Sequence, residues 1–148
     1  MELKFYNTFS KTIEVFKPIE KNRVKIYTCG PTVYNFVHIG NLRTFVFEDL
    51  LIRYLRYLGF EVVHVMNLTD VDDKTINGSR REKKSLKDYT QNYKKAFFDD
   101  IKTLNLLAAQ FYPAATEHIP EMIEIINNLI QKGFAYKAED KSVYFSIA

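Results

Sequence analysis

Hydrophobic and polar positions in the first half of the chain predict a strand, a helix and a second strand. The run RVKIYTC at residues 23–29 is β-branched and aromatic, and a Gly-Pro pair ends it, as expected of a buried strand. The run FEVVHVMNL supplies the second strand. Between them, apolar residues recur after Gly40 on one helix face, and Gly59 is the expected helix stop. That face consists of Phe47, Leu51, Tyr54, Leu55 and Leu58, and the opposite side carries Asp49, Arg53 and Arg56.

A strand, a helix and a strand in this order are typical of a βαβ unit with parallel strands and a right-handed crossover. Ligands of such sheets bind outside the carboxyl ends of the strands. We therefore expect Cys29, the loop GPTVYNFVHIGN and the segment NLTDVDD to lie at one edge of an α/β sheet.

The pattern in the second half of the chain predicts helices followed by a hairpin. Ser85 is the expected cap of a helix with an apolar stripe, residues 112–116 break the pattern, and Gly133 ends a further amphipathic helix. A hairpin is expected to turn near residues 139–141, and the first 22 residues to form short extended pieces with a turn near Pro18. A parallel sheet followed only by helices and a hairpin is short of strands, so the pattern suggests a fragment. The first stripe consists of Leu86, Tyr89, Tyr93, Phe97, Ile101 and Leu104, and the second of Met122, Ile123, Ile126, Leu129 and Ile130.

Composition places the chain among ordinary globular proteins. Its 148 residues are 47% hydrophobic and 26% charged, enough for one domain with a sizeable core. It has neither a membrane-length apolar run nor a signal-peptide core, and one cysteine excludes an internal disulfide, so we expect a cytoplasmic protein. A net charge of +3 permits a polyanionic partner without requiring one. The basic residues 72–88 are interpreted as a solvated linker and helix start, with contact to phosphate as the alternative.

His38 and Gly40 stand at the predicted junction between loop and helix. A glycine there lets a ligand approach the backbone, and a helix N-terminus offers N–H groups to a phosphate. His38 is then placed to donate to a phosphoryl oxygen. The pattern is neither a dinucleotide fingerprint nor a P-loop, because both glycine signatures are absent from the sequence.

Cys29 ends the first predicted strand and has three interpretations: a small buried residue, a nucleophile, or a zinc thiolate. One cysteine and three histidines without C-x-x-C spacing do not predict a complete zinc site. After the second strand, Asp70, Asp72 and Asp73 are candidates for magnesium ligands or for helix caps, and capping is favoured for most of them. Thr69, at the strand end, is the better candidate to face a substrate.

Three segments of the chain, taken together, closely resemble the N-terminal part of bacterial cysteinyl-tRNA synthetases. They are YTCGPTVYNFVHIGNLR, RYLRYLGFEVVHVMNLTDVDDK and AATEHIPEMIEIINNLIQKGFAYKAEDKSVYFSI. The resemblance covers essentially the whole chain and implies a Rossmann-like class I catalytic fold. HIGN, with His38, Gly40 and Asn41, matches the ATP-contacting HIGH motif, whose last histidine is replaced by Asn41. Cys29 matches the first ligand of the zinc that binds substrate cysteine, and Thr69 matches a residue of the amino-acid pocket. Tyr34 and Asn35 match the loop over that pocket.

The resemblance implies activation of cysteine by ATP, with magnesium, to cysteinyl-adenylate, followed by transfer to tRNA(Cys) by a monomeric enzyme. A soft zinc–thiolate bond would select sulfur over the oxygen of serine. Residues 1–115 would form the front half of the catalytic domain, and residues 116–148 the start of the connecting insertion with its hairpin. The family's other zinc ligands, KMSKS loop and tRNA-binding helices are not among these residues, so the chain alone is expected to be inactive.

Two alternatives remain open from the sequence. One is the related ATP-dependent ligase that joins cysteine to an aminosugar in mycothiol synthesis, and CGPTVYN favours the synthetase over it. The other is a non-catalytic module that binds nucleotide or tRNA.

Overall fold

The computed structural model describes residues 2–147, which form a parallel βαβ unit flanked by two antiparallel hairpins and further helices. The N-terminal hairpin consists of β1 (Lys4–Asn7) and β2 (Thr12–Val15). The βαβ unit consists of β3 (Arg23–Thr28), α1 (Ile39–Tyr57) and β4 (Glu61–Met66). The second half comprises α2 (Asp73–Arg81), α3 (Leu86–Thr103), a 3-10 helix (Ala115–His118), α4 (Ile119–Gln131), β5 (Ala135–Lys137) and β6 (Val143–Phe145).

The predicted βαβ unit is confirmed. Strands β3 and β4 pair in parallel, with Arg23 opposite Glu61 and Thr28 opposite Met66. Helix α1 ends at the expected place, since Leu58 is its C-cap and Gly59 follows with a φ of +89°, a conformation that favours glycine.

The buried face of α1 differs from the predicted stripe. Phe45, Ile52 and Leu55 are the buried residues of the helix, whereas Phe47 is 65% exposed. Asp49, predicted to face solvent, is largely covered because its carboxylate accepts the backbone N–H of Leu107 at 2.8 Å. The helical period predicts which residues share a face only to within about one residue. It does not predict that the distant loop at Leu107 packs against Asp49.

A third extended segment runs in parallel beside β4 and was missed by the sequence pattern. The N–H of Gln110 donates to the carbonyl of His64 at 3.0 Å, and the N–H of Leu68 donates to the carbonyl of Pro113 at 2.8 Å. A proline is tolerated here because the sheet uses its carbonyl, and the missing N–H lies at an edge. The expectation that only helices and a hairpin follow β4 is therefore wrong.

The hydrophobic core lies between the sheet and the helices α1 and α3. One cluster joins Phe45, Met66, Phe97 and Ile101, and the other joins Ile52 and Leu55 of α1 to the two strands. The predicted helix capped by Ser85 is α3, and its Tyr89, Phe97 and Ile101 are buried as expected. By contrast, α4 contains no buried residue, so the other described residues leave its apolar stripe exposed.

Candidate functional site at the carboxyl ends of the strands

The loop after β3 is fixed to the loop after β4 by backbone pairing, as the βαβ prediction requires. The N–H of Val33 donates to the carbonyl of Thr69, and the N–H of Thr69 donates to the carbonyl of Pro31, each at 3.1 Å. The N–H of Gly30 donates to the side-chain oxygen of Asn67 at 3.2 Å. The two loops therefore form one rigid edge.

Gly30 is required by this edge. A Cβ atom there would lie 1.9 Å from the carbonyl oxygen of Asn67, a distance that no side chain can tolerate. The glycine after Cys29 therefore lets the two strand ends approach one another.

His38 is the N-cap of α1. Its Nδ1 accepts the backbone N–H of Gly40 at 3.0 Å, and its own N–H donates to the side-chain oxygen of Asn41 at 3.3 Å. Because Nδ1 accepts, a neutral imidazole carries its proton on Nε2. The capping box thus fixes the ring and leaves Nε2–H as the donor for a ligand.

The same geometry bears on two expectations at this junction. The N–H groups of Gly40, Asn41 and Leu42 all donate to His38, so these three are not free for phosphate. Gly40 also leaves room for the histidine ring, and its part in the approach of a ligand stays a prediction. A Cβ at position 40 would lie 2.8 Å from Cε1 of His38 and 3.1 Å from its Nδ1.

A cleft of about 280 Å³ lies between the loop and the start of α1. Lys74, from the first turn of α2, reaches into it and places its Nζ 4.8 Å from the centroid of the Tyr34 ring. The sequence pattern missed Lys74, whose only signal was its place in the basic segment 72–88. The lining residues include Gly30, Pro31, Thr32, Tyr34, Asn35, His38, Asn41 and Lys74.

Thr69 and Cys29 lie at the same edge without lining that cleft. The hydroxyl of Thr69 accepts a hydrogen bond from the side-chain amide of Asn67 at 3.1 Å. Cys29 is exposed, which excludes the buried interpretation, and its Sγ lies 3.7 Å from the carbonyl oxygen of Gly30. Within residues 2–147, no three His, Cys, Asp or Glu side chains group as metal ligands. Zinc needs about four ligands, so the described residues do not by themselves form a zinc site.

The three aspartates after β4 have separate roles. Asp72 caps α2 by accepting the N–H of Thr75 at 2.9 Å, as expected, and Asp73 lies exposed in the first turn. Asp70 is buried and accepts from Nζ of Lys94 at 2.6 Å and from the hydroxyl of Thr116 at 2.7 Å. Burial alone would raise the pKa of the Asp70 carboxyl, but these hydrogen bonds outweigh it and hold the pKa below its usual range.

Thr28, the residue before Cys29, contacts a buried histidine. The hydroxyl of Thr28 is 2.9 Å from Nε2 of His64, which is 3% exposed. Burial, and then the charge of Arg56, lowers the pKa of His64, which favours the neutral form of the ring. Burial also raises the pKa of Glu48, although a hydrogen bond with Thr28 acts against it.

No helix in the described part of the chain is both long enough and apolar enough to cross a membrane.

Comparison of the sequence with known proteins identifies one family. The model of the class I (C) tRNA synthetase catalytic domain matches residues 15–148. The chain is 57% identical over 148 residues to the cysteine–tRNA ligase of Chlamydia muridarum, covering 100% of this chain and 31% of that protein. The cysteine–tRNA ligase of Brachyspira hyodysenteriae is 55% identical over 147 residues, covering 99% and 31%. The chain thus spans about three tenths of the length of the curated relatives it matches.

A solved structure shares the fold. The LeuRS of Agrobacterium radiobacter K84, in a ternary complex with tRNA and LeuAMS, superposes with a TM-score of 0.67 at 20% identity. The match covers 81% of this chain and 16% of that one. The predicted class I synthetase fold is confirmed.

Proposed function

The chain belongs to the class I (C) tRNA synthetases through their catalytic domain, and we propose that it forms the front part of the active site of a cysteine–tRNA ligase. The observation that supports this most is the arrangement of His38 and Lys74. The capping box directs one defined donor, Nε2–H, from a rigid edge, and a lysine ammonium lines the same cleft. Relatives named as cysteine–tRNA ligases favour this function over the aminosugar ligase and the non-catalytic module.

In the proposed reaction, the carboxylate of cysteine attacks the α-phosphorus of ATP. The bond between that phosphorus and the bridging oxygen breaks, and its electron pair leaves with pyrophosphate, which magnesium accompanies. Nε2–H of His38 and the ammonium of Lys74 stabilise the negative charge that develops on the phosphoryl oxygens. The side-chain amide of Asn41 faces the same cleft and contributes a further contact to ATP. The cysteinyl group then passes to the 3′ end of tRNA(Cys), with release of AMP.

Substrate cysteine is proposed to bind beside the strand ends, near Thr69, with Tyr34 and Asn35 in the loop above it. Cys29, exposed at the same edge, would contribute one thiolate ligand to a zinc ion. The remaining ligands would come from outside residues 2–147, since no three potential ligand side chains group together in this part of the chain.

We propose that residues 1–115 form the front half of the catalytic domain and that residues 116–148 begin the connecting insertion. This boundary is supported by the absence of buried residues in α4, which follows the 3-10 helix. The hairpin β5–β6 follows α4 directly, and its pairing extends one step further, because the N–H of Ser146 donates to the carbonyl of Phe134 at 2.8 Å. A monomeric enzyme in the cytoplasm fits this role.

The test is cysteine-dependent ATP–pyrophosphate exchange by the protein that carries this chain at the full length of its relatives. We expect exchange with cysteine but not with serine, and a loss of at least about tenfold in Lys74→Ala, since one charged contact to phosphate is removed. Lys83→Ala, which removes a lysine outside the cleft, is the matched control. Exchange that ignores the amino acid, or survives unchanged in Lys74→Ala, would contradict the proposal. Transfer of cysteine to an aminosugar in place of tRNA would support the alternative ligase.

A further inference from the structure

The side chain of Asn67 joins the loops that follow β3 and β4. Its Oδ1 accepts the backbone N–H of Gly30 at 3.2 Å, and its Nδ2 lies 3.1 Å from the hydroxyl oxygen of Thr69. One end of this amide therefore contacts the residue after Cys29, and the other end contacts the residue expected to face a substrate.

The contact with Gly30 fixes which way the amide of Asn67 is turned. A backbone N–H can only donate, so the atom that faces it must be the oxygen of the side chain. The NH2 group then faces Thr69, and because this group can only donate, the hydroxyl of Thr69 must accept. The single hydrogen of that hydroxyl is thus turned away from Asn67 and is left to donate to another group.

The two loops are also joined without Asn67. The backbone N–H of Val33 donates to Thr69, and that of Thr69 donates to Pro31. One further hydrogen bond between the loops adds only about 1 kcal/mol to stability. The specific effect of the amide is therefore on the direction of the Thr69 hydroxyl.

Only an amide makes both contacts of Asn67 with this polarity. An apolar side chain of the same shape would make neither bond. A carboxylate could still accept from Gly30, but it has no hydrogen to donate. The hydroxyl of Thr69 would then donate to the carboxylate, and its hydrogen would turn away from a substrate.

The chemistry of cysteine indicates which group the Thr69 hydroxyl would contact. Under the proposed function, cysteine binds beside Thr69 with its thiolate on zinc. The ammonium of the amino acid only donates, so its carboxylate is the group left to accept a hydrogen bond. Asn67 and Thr69 are both half-buried, so this edge is partly shielded from water and still accessible.

We propose that Asn67 is a positioning residue of the amino-acid site, which presents the hydroxyl of Thr69 as a donor to the carboxylate of the bound amino acid. This inference rests on the proposed function, because it assigns Thr69 a partner in the substrate. Asn67 acts on the substrate only through Thr69.

The first test is pyrophosphate exchange by the full-length protein with Asn67→Asp, Thr69→Val and the double variant. We expect Asn67→Asp to raise the KM for cysteine about five- to tenfold, because the hydroxyl hydrogen turns to the new carboxylate, and to leave the KM for ATP unchanged. In the double variant, Asn67→Asp should add no loss to that of Thr69→Val, since the hydroxyl it acts through is absent. Asn127→Asp, the same change at an exposed position of α4, is the matched control.

Three kinetic results would overturn the proposal. An equal rise in the KM for ATP would indicate a general disturbance of the site. A further loss on the Thr69→Val background would show that the added charge, and not the hydroxyl, is responsible. Unchanged kinetics in Asn67→Asp would show that the amide does not position Thr69.

The second test does not depend on catalysis. In the 148-residue chain, one side-chain amide proton of Asn67 should move upfield in the NMR spectrum of Thr69→Val, because its acceptor is lost, and Thr69→Ser should keep the wild-type position. Unchanged resonances in Thr69→Val would overturn the proposal. Failure of exchange in the wild-type full-length protein would refute the proposed function, and with it the contact to substrate, whereas exchange that ignores Asn67→Asp would refute only the role of Asn67.

Discussion

At the scale of single residues, the histidine at the start of α1 has two roles that depend on different ring nitrogens. Nδ1 of His38 caps the helix through Gly40, and Nε2 remains for a ligand. Gly40 makes this possible, because any Cβ there would contact the imidazole ring. The motif is thus a structural unit as well as a candidate catalytic one.

The two roles of His38 can be separated by substitution. Asparagine is also a strong N-cap, so His38→Asn should keep the stability of the chain to within about 0.5 kcal/mol while removing the Nε2 donor and at least tenfold of exchange activity. Gly40→Ala should lose both, with about 1 kcal/mol less stability, since the ring must move away from its cap. Urea unfolding and pyrophosphate exchange measure the two effects. Full exchange activity in His38→Asn would show that Nε2 has no catalytic role.

The buried carboxyl of Glu48 makes stability depend on pH. Burial raises its pKa in the folded chain above the unfolded value, so its neutral form is favoured and its contribution is present at low pH. That contribution is lost as the pH rises through the folded pKa. Glu48→Gln should therefore raise the urea midpoint at pH 8 and leave it nearly unchanged at pH 4. An equal gain at both pH values would mean that packing, rather than ionisation, is responsible.

At the scale of elements, a few polar contacts join the end of β4 to the helices that follow it. Asp70 connects this strand end to Lys94 of α3 and to Thr116 of the 3-10 helix. Gly78 lets α2 contact Tyr89 of α3, because a Cβ there would lie 2.3 Å from its hydroxyl. The positions of α2 and α3 relative to the end of β4 therefore depend on these contacts.

Removal of the Asp70 carboxylate should be costly. Asp70→Ala leaves Lys94 partly buried without a partner and is expected to reduce the free energy of unfolding by about 3 kcal/mol. Because the pKa of Asp70 is lowered in the folded chain, its contribution is present above the unfolded value of about 3.9 and disappears as the pH falls through the folded pKa. Urea titrations should thus show a large difference between wild type and variant at pH 7, and this difference should shrink as the pH falls below about 3.9.

Asp73→Ala is the control for that experiment. Asp73 is exposed in the first turn of α2, so its loss should reduce stability by less than about 1 kcal/mol. Similar losses for the two variants would argue against a special role for the buried pair.

At the scale of the whole molecule, one strand edge and one helix face are open to contact with further protein segments. Among the described strands, β3 pairs only with β4, and the apolar stripe of α4 is exposed. The curated relatives are about three times as long as this chain. These features agree with the proposal that residues from outside the chain complete the zinc site around Cys29.

The metal content of the chain checks this proposal directly. After dialysis against buffer without metal, we expect far less than one zinc per 148-residue chain, and the same low value for Cys29→Ser, because one thiolate does not hold zinc. Elemental analysis measures the number of zinc ions per chain. Stoichiometric zinc that disappears in Cys29→Ser would mean that this chain completes the site, by dimerisation or through residues that approach Cys29 in solution.

The sequence by itself determined the βαβ unit, the helix capped by Ser85 and the last helix and hairpin, because a strand, a helix and a cap leave local patterns of period, glycine and polar side chains. It also identified His38, Asn41 and the edge around Cys29, which lie in short motifs. Only the tertiary structure decided the roles of Gly40 and Asp70, the parallel segment at residues 110–115 and the position of Lys74 in the cleft at His38. Most of these depend on contacts between residues far apart in the chain, and a pattern read along the sequence contains no information about such contacts.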